Sequence, residues 1–547
     1  MKQGSNRRLA NVKTREETGL TFVMSKLDLM TPFAQKLLKE TRPYFPGQEE
    51  ELRQELNRVE CMMRFAEQEP KKVAELQEVF MCMKDLSNSI RRGAADALTT
   101  VELFEIKSML LEMDHIRRLC TGENSIVPPE FIPGDVTEAL DVLDPRKDRM
   151  NTFYIYDDFS EKLAQLRKNK HMLEIQIRRS QKARKEEIRK QYGIVLTPKF
   201  DVIISRSSED LDKARQIEDL EQISEDYTSV TFQLGKSERV QELSREMDEA
   251  ILQIEEEELA VREVLSKKIS VHADLLLSNC GRIGTLELTL GKAIYGSRHD
   301  CTRPEILDEH IVDIELGRQL QVEEILESKG KNYHPISIKL EDGVTCITGA
   351  NMGGKTISLK LAGLIPLMAQ YGFFVPCKRA RIGLSNYMQI LIGDSQSVER
   401  GLSSFGSEME ELKEILDHSQ DRSMIMIDEI ASGTNPVEGL ALTKSLIDYL
   451  KKKPYITLIT THFDAVKEEP DIVNMQVRGL ANADFRKLDS ELRRANRRER
   501  INIISKYMDY SLYRVEGERE VPRDALNIAR MLGLNDEIIE GAKKYIK

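Results

Sequence analysis

The run Gly349-Ala-Asn-Met-Gly-Gly-Lys-Thr356 decides the fold of the second half of the chain. It fits the pattern GxxxxGK[ST], and it lies between the apolar run VTCITG (344–349) and a helical pattern that begins near Ile357. Glycines let the backbone N–H groups of such a loop turn toward phosphate oxygens, and the amino end of the following helix adds its positive dipole. The run therefore predicts a phosphate-binding loop between a strand and a helix.

The side chains of this loop match the chemistry of a Mg²⁺-nucleotide complex. Lys355 supplies a positive charge for the β- and γ-phosphates, and Thr356 can offer its hydroxyl to Mg²⁺. The glycines assigned to nucleotide binding are Gly349, Gly353 and Gly354. We therefore predict ATP and Mg²⁺ as ligands.

Two further apolar runs, SMIMID (423–428) and YITLIT (455–460), have the composition of buried parallel strands. Asp428 ends the first run and suits an outer-shell ligand of Mg²⁺. Glu429 follows it and can orient and deprotonate an attacking water, although an acidic pair can also simply cap a helix. The sequence predicts Glu429 and Lys355 as catalytic residues of an ATPase.

His462 follows the run 455–460 directly. A lone histidine usually has a structural role. Because ligands of open α/β sheets sit at the carboxyl ends of the strands, His462 is predicted to be catalytic, either sensing the γ-phosphate or holding the water.

Length and composition narrow the class of protein. With 547 residues, 40% hydrophobic and 32% charged, the chain is long enough for several domains. A net charge of −11 argues against a protein that binds nucleic acid over its whole surface, but it does not exclude a local basic surface. The seven scattered cysteines predict reduced thiols, and the absence of a signal peptide or a long apolar segment predicts a cytoplasmic protein without a membrane span.

The spacing of apolar residues divides the chain. The predicted fold is an α/β ATPase domain with a mostly parallel sheet, preceded by an all-α region that carries a long antiparallel coiled-coil arm. The predicted segments are a loose basic leader (1–24), a helical core (25–156), the arm (157–270), a helical connector (271–300) and the ATPase domain (301–547). In the returning helix of the arm, a coiled-coil seam is predicted at Val240, Leu243, Met247, Ala250, Ile254, Val261 and Val264. Two β-like runs, FDVIIS (200–205) and TSVTFQL (228–234), predict a small tip.

The two helices of the arm differ in charge. Residues 161–200 hold 12 lysines and arginines against 4 glutamates, and residues 236–263 hold 10 acidic residues against 4 basic ones. The helices could neutralise each other across their seam, or the outward basic face could contact a polyanion. The candidate contact residues on this face are Arg178, Arg179, Arg184 and Lys185.

A second basic run, FRKLDSELRRANRRER (485–500), follows the third core strand. A solvated basic helix is the plain interpretation, and a docking surface for a partner is the alternative. The candidate contact residues here are Arg493, Arg494, Arg497 and Arg498.

Four segments in order carry a resemblance to a known family: TGANMGGKT (348–356), GDSQSVERGLSSFGSEMEEL (393–412), IDEIASGTNPVEGLAL (427–442) and TTHF (460–463). Together they resemble the MutS family of ABC-type ATPases. The resemblance implies that Asn351 is a phosphate-loop residue and that Ser403 reaches the γ-phosphate of the opposite subunit. It also implies a homodimer or a MutS-like heterodimer, and Tyr333 is a weak candidate for stacking on adenine.

The first half resembles the lever and clamp domains of that family, with two departures. We expect no mismatch-reading domain, because the Phe-x-Glu wedge is not found, and no appended nuclease domain, because the sequence stops where the ATPase core of relatives ends. Two functions remain open. One is an ATP-gated clamp on DNA that does not read mismatches, and the other is an ATP-dependent reactivating factor for a cobalamin-dependent amino-acid aminomutase.

Overall fold

A computed structural model describes residues 8–122, 125–349, 354–393, 404–431, 433–463, 466, 469–480, 483–494, 500, 503–504, 506–515 and 524–544. The chain divides into two compact units. The first unit consists of Met1–Met81, Cys120–Ile132 and Arg282–Lys547, and the second consists of Cys82–Leu119 and Pro133–Gly281.

Helices account for most of the chain before residue 300. They are α1 (Val12–Thr18), α2 (Leu20–Ser25), α3 (Pro32–Glu40), α4 (Glu49–Gln68), α5 (Pro70–Cys82), α6 (Ser87–Arg92), α7 (Thr100–Cys120), α8 (Thr137–Leu143), α9 (Glu161–Tyr192), α10 (Asp210–Arg215), α11 (Glu238–Ser270) and α12 (Ala273–Arg298). The later helices are α13 (Leu320–Ser328), α14 (Lys355–Gln370), α15 (Ser404–His418), α16 (Pro436–Leu450), α17 (Phe485–Arg494), α18 (Asp524–Met531) and α19 (Asp536–Lys543). No helix in the described ranges is both long and apolar enough to cross a membrane.

Strands are concentrated after residue 300. Three belong to the second unit: β1 (Asp201–Ser205), β2 (Leu220–Glu225) and β3 (Ser229–Leu234). The others are β4 (Glu305–Leu307), β5 (Ile311–Gly317), β6 (Ile336–Glu341), β7 (Gly343–Thr348), β8 (Arg379–Gly383), β9 (Tyr387–Ile392), β10 (Ser423–Asp428), β11 (Tyr455–Thr460), β12 (Val473–Gly479) and β13 (Asp509–Arg514). A helical first half followed by an α/β second half is therefore confirmed.

The main sheet of the first unit has six strands in the order β13-β12-β7-β11-β10-β9. All neighbours are parallel except β12 and β13, which are antiparallel. The three apolar runs of the sequence form the central strands β7, β11 and β10. A second sheet, β4-β8-β5-β6, is mixed.

Helices cover both faces of the main sheet. Side chains alternate along each strand, so an apolar strand presents apolar side chains on both faces, and both are buried against helices. On one face, Gly363 of α14 lies against Met426, where an added Cβ would be 3.0 Å from the methionine sulfur. On the other face, Ile425 and Ile427 belong to a buried cluster with residues of α15 and α16. Every residue of β10 and β11 is buried, which explains their continuous apolar sequence.

The N-terminal strap, defined here as residues 8–25, packs on this domain. Met388 of edge strand β9 donates its N–H to Leu9 O at 2.7 Å, and Thr14 Oγ1 donates to the buried Gln389 Oε1 at 2.7 Å. Leu20 and Val23 have no exposed surface. The leader predicted for residues 1–24 is thus not loose over residues 8–24, because its few apolar side chains and Thr14 find buried partners far along the chain.

The second unit contains two long helices that pair antiparallel. Near the start of α9, Lys162 pairs with Glu257 at 2.7 Å and Arg167 pairs with Glu258 at 2.7 Å. Further along, Leu173 packs in a buried cluster with Leu243. Opposite charges on the two helices therefore meet across this part of the pair.

Part of the predicted seam on α11 is buried. Its buried members are Val240, Leu243, Ala250 and Val261. Val264 instead has 51% of its surface exposed, and Leu265 is buried in its place. At the far end of the pair, β1, β3 and β2 form an antiparallel sheet over a separate apolar cluster, so the two predicted β-like runs pair with each other and gain a third strand.

Truncating Leu20 tests whether the strap is part of the folded domain. Leu20→Ala should lower the free energy of unfolding by about 2–5 kcal/mol, because a fully buried leucine leaves a cavity. The control is Val12→Ala, since Val12 is 57% exposed and its truncation should change stability by less than about 0.5 kcal/mol. Urea denaturation measures both. Equal effects of the two changes would show that the strap is not packed.

Candidate nucleotide site

The predicted site residues lie at one edge of the main sheet. Strand β11 lies between β7 and β10, and all three run parallel. Their carboxyl ends therefore come together, and Asp428 pairs in register with Thr460. Open α/β sheets bind ligands at this edge.

The described part of the phosphate loop has two glycines with positive φ. Gly349 has φ 136° and Gly354 has φ 79°, conformations that L side chains rarely adopt. A Cβ at Gly354 would also lie 2.9 Å from Tyr510 Cδ1, so glycine is required there for space as well. Helix α14 begins at the next residue, and its amino end points its free N–H groups toward the loop.

Lys355 is a buried cation, with 4% of its surface exposed. Its Nζ donates to Gly349 O at 2.9 Å and lies 2.9 Å from Glu429 Oε1. A buried ammonium group needs such a counter-charge, because burial alone strongly disfavours the charged form. The predicted phosphate ligand and the predicted base are thus direct neighbours.

Thr356 and Asp428 bring oxygen ligands together. Thr356 Oγ1 donates to Asp428 Oδ2 at 2.7 Å, and the Thr460 hydroxyl donates to the other carboxylate oxygen, Oδ1. A hydroxyl and a carboxylate side by side form a hard oxygen donor set of the kind that Mg²⁺ prefers when it also binds phosphates. The residues therefore fit the metal predicted from the sequence.

Glu429 adopts a backbone conformation that is unusual for a residue with a side chain. Its φ is 46°, and that of Ala431 is 60°. Such conformations cost about 1–3 kcal/mol and are commonest at functional sites. The N–H of Glu429 is held by both Thr460 O and Thr460 Oγ1 at 3.1 Å, which compensates for the strain and directs the carboxylate toward Lys355.

A buried carboxyl connects α15 to the segment that follows β10. Glu408 is 8% exposed and accepts the N–H of Ala431 at 3.2 Å. Burial raises the pKa of Glu408 above the ordinary value of 4.5, and the hydrogen bond from Ala431 opposes that shift. The helix after the serine-rich segment is thereby tied to the backbone next to Glu429.

Of the other predicted nucleotide-site residues, His462 and Tyr333 are described, and three lie outside the described residues. His462 is exposed, and its ring lies 4.3 Å from that of Phe463. The Tyr333 hydroxyl is buried, and burial raises its pKa, with Gln319 and Glu323 among its neighbours. The roles assigned to both stay predictions. Asn351, Gly353 and Ser403 lie outside the described residues.

The predicted basic contact residues have different surroundings. Arg178 and Arg179 are exposed on α9. Arg184 instead pairs with Asp219 and with Glu187, and Lys185 donates to Thr197 O at 2.9 Å. On α17, the side chains of Arg493 and Arg494 are outside the described residues, as are Arg497 and Arg498 entirely.

Sequence reasoning missed three residues of the site: Thr460, Glu408 and Tyr510. The available signal for Thr460 was its position as the last residue of an apolar run, next to another apolar run that ends in Asp428. Glu408 lies in an ordinary helical pattern, and Tyr510 comes from β13, more than 150 residues after Gly354 in the chain. No local pattern indicates either of them.

This sheet order and this group of residues are typical of a nucleotide-binding α/β domain. Residues 345–547 match the family model for MutS domain V. Among curated proteins, the chain is similar to endonuclease MutS2 of Clostridium botulinum strain ATCC 19397, with 34% identity over 307 residues. Endonuclease MutS2 of Clostridium tetani is 31% identical over 314 residues, and that of Caldanaerobacter subterraneus is 30% identical over 311.

Each of these matches covers 56% of this chain and 36% of the relative. The chain thus spans little more than a third of the length of the curated relatives it matches. The second half of the chain therefore matches MutS domain V, and the chain is similar to MutS2 proteins over about half of its length.

The raised pKa of Glu408 gives a pH-dependent prediction. The folded state holds this proton more tightly than the unfolded state, so the stability contributed by Glu408 should be full below pH 4.5 and decrease as the pH rises through the folded pKa. The difference in unfolding free energy between wild type and Glu408→Gln should therefore fall with pH. Urea denaturation at a series of pH values measures it, with the exposed Glu410→Gln as the control for loss of charge on α15. A pH-independent difference would contradict the assignment.

Proposed function

We propose that this chain is a MutS-type ATPase that converts ATP and water to ADP and phosphate. The observation that carries the proposal is the pairing of Lys355 with Glu429 beside the pairing of Thr356 with Asp428 at one sheet edge. Lys355 would bind the β- and γ-phosphates, with the amino end of α14 beneath them. Thr356 and Asp428 would hold Mg²⁺, which when bound withdraws negative charge from the phosphates.

The ion pair of Lys355 suggests how ATP binding prepares the base. Phosphate oxygens offer Lys355 a stronger set of anionic partners than one carboxylate does. Glu429 would then be free to orient a water molecule. In the hydrolytic step, the water oxygen forms a bond to the γ-phosphorus, the bond to the bridging oxygen breaks, and the water proton passes to the Glu429 carboxylate.

The site is proposed to be completed by a second subunit, in a homodimer or a MutS-like heterodimer. The family resemblance assigns Ser403 to the γ-phosphate of the opposite subunit, and α15 begins at the following residue. Through Glu408, that helix is bonded to the N–H of Ala431, two residues after Glu429. This bond supports the idea that docking of the partner and placement of the base are linked.

The object of the ATPase is proposed to be DNA, held by a clamp made from the paired helices α9 and α11. Arg178 and Arg179 are exposed on α9, as contacts to a phosphate backbone require. Contacts of this kind need no base sequence, which agrees with a clamp that does not read mismatches.

A reactivating factor for a cobalamin-dependent aminomutase is the second candidate. One observation favours it. Lys162, Arg167 and Arg184 of α9 all form ion pairs with carboxylates of this same chain. The basic charge available to DNA is therefore smaller than the sequence suggests.

Glu429→Gln tests the hydrolytic mechanism. The variant should bind ATP, because glutamine leaves Lys355 available for phosphates, but its kcat should fall by about 10²- to 10⁴-fold, because the amide cannot accept the proton. Phosphate release measures turnover, and a fluorescent ATP analogue measures binding. Normal turnover by this variant would exclude Glu429 as the base.

Charge reversal at Arg178 and Arg179 tests the clamp. Wild-type protein should bind DNA with an affinity that falls steeply with salt, and Arg178→Glu with Arg179→Glu should weaken binding by more than about tenfold. Arg118→Glu is the control, because Arg118 is 68% exposed in the same unit but outside the paired helices. Arg184 and Lys185 are left intact, since their contacts hold the tip.

The contrary result would be DNA binding that is absent or equal in all variants. In that case, co-purification of the Glu429→Gln protein with a cobalamin-dependent aminomutase, together with ATP-dependent rescue of the inactivated enzyme, would support the second candidate.

A further inference from the structure

A cavity of about 510 Å³ lies between the N-terminal strap and the segment that precedes α4. Three arginines, Arg8, Arg15 and Arg42, line it together with Asn11, Phe45 and Tyr371. No aspartate or glutamate is among the lining residues in the described part of the chain. The cavity is therefore strongly cationic, on a chain whose net charge is −11.

The charges of these arginines are not neutralised by neighbouring carboxylates. Among the described residues, none of the three forms an ion pair, and Arg8 and Arg42 are exposed. Arg15 Nε is buried without a hydrogen-bond partner in the same part of the chain. The guanidinium of Arg15 does contact the Tyr371 hydroxyl, and it opposes the rise that burial causes in the pKa of Tyr371. A buried donor without a partner is costly, and an anion would satisfy it.

The cavity has the chemistry of a phosphate site. Guanidinium groups bind phosphate oxygens in bidentate pairs, and three of them suit more than one phosphate group. Phe45 and Tyr371 add aromatic surface. The volume falls within the range of about 300–1,000 Å³ found for small-molecule sites, whereas duplex DNA needs an extended basic face.

We propose that this cavity binds a small phosphorylated molecule, at a site separate from the phosphate loop. Tyr371 directly follows the carboxyl end of α14, and Lys355 begins that helix. Sixteen helical residues separate the two ends by about 24 Å. One ligand therefore cannot fill both sites.

The test uses inorganic pyrophosphate as the probe and the full chain carrying Lys355→Ala, so that the phosphate loop loses its cation. Isothermal titration calorimetry should find one site per chain. Arg42→Gln should weaken binding by about tenfold, and Arg8→Gln with Arg42→Gln by about a hundredfold, because each removes one charge-assisted contact. Both arginines are exposed, so these variants should fold, and thermal unfolding checks this.

Arg379→Gln is the matched control, since Arg379 is an exposed arginine of the same unit away from the cavity. Absence of binding, or binding that is equal in all arginine variants, would overturn the proposal. Tighter binding of a single-stranded oligonucleotide with the same arginine dependence would also overturn it, in favour of nucleic acid. Because Lys355 is already removed, the result does not depend on whether the chain hydrolyses ATP.

Discussion

The parallel register of β7, β11 and β10 is the constraint on which the nucleotide site depends. Thr460 ends the middle strand, directly beside Asp428 of its neighbour. From there its hydroxyl donates to the Asp428 carboxylate, and its oxygens receive the N–H of Glu429. A slip of one residue would turn the Thr460 side chain to the other face of the sheet and release both acidic residues. Strands β10 and β11 are buried throughout, and β7 is buried except at Gly343, so both faces of these strands pack against other elements.

Charge at the site is balanced within a small group of residues. Lys355 is buried and has Glu429 as its counter-charge, while Asp428 is held by two hydroxyls. Neither acidic residue can be moved without leaving a buried polar group unsatisfied, which costs about 1–3 kcal/mol or more. The strained backbone at Glu429 is tolerable because its N–H is bonded twice to Thr460.

The N-terminal strap extends this network to the outer elements of the domain. Lys13 pairs with Glu411 of α15 at 2.7 Å, and Glu17 pairs with Lys360 of α14 at 2.8 Å. The strap therefore touches both the helix that follows the phosphate loop and the helix that follows the serine-rich segment. The edge strand β9 lies between them and is bonded to Leu9.

The sequence predicted the central strands to within a residue. Of the predicted site residues, Lys355 and Glu429 lie together at one sheet edge, and so do Thr356 and Asp428. Continuous apolar runs and the glycine loop are local signals, and they are strong where a strand is buried on both faces. The strap was missed because its partners are far away in the chain. Thr14 lies in a polar segment, and nothing near it in the sequence indicates its hydrogen bond to Gln389. Glu408 and the exposed Val264 show the same limit, since helical spacing gives an apolar face but not the local surroundings of each residue.

The strap also has a consequence for how the protein is made. Thr14 and its partner Gln389 are 375 residues apart, so the strap leaves the ribosome long before its partner exists. At about 5–20 residues per second, the delay is about 20–75 s. During that time Leu20 and Val23 cannot be buried against the later part of the domain. Once β9 is made, its edge stays unpaired until the strap binds to it. The strap can thus cover the edge of β9 only after this interval, and until it does the unpaired edge is open to pairing with the wrong strand.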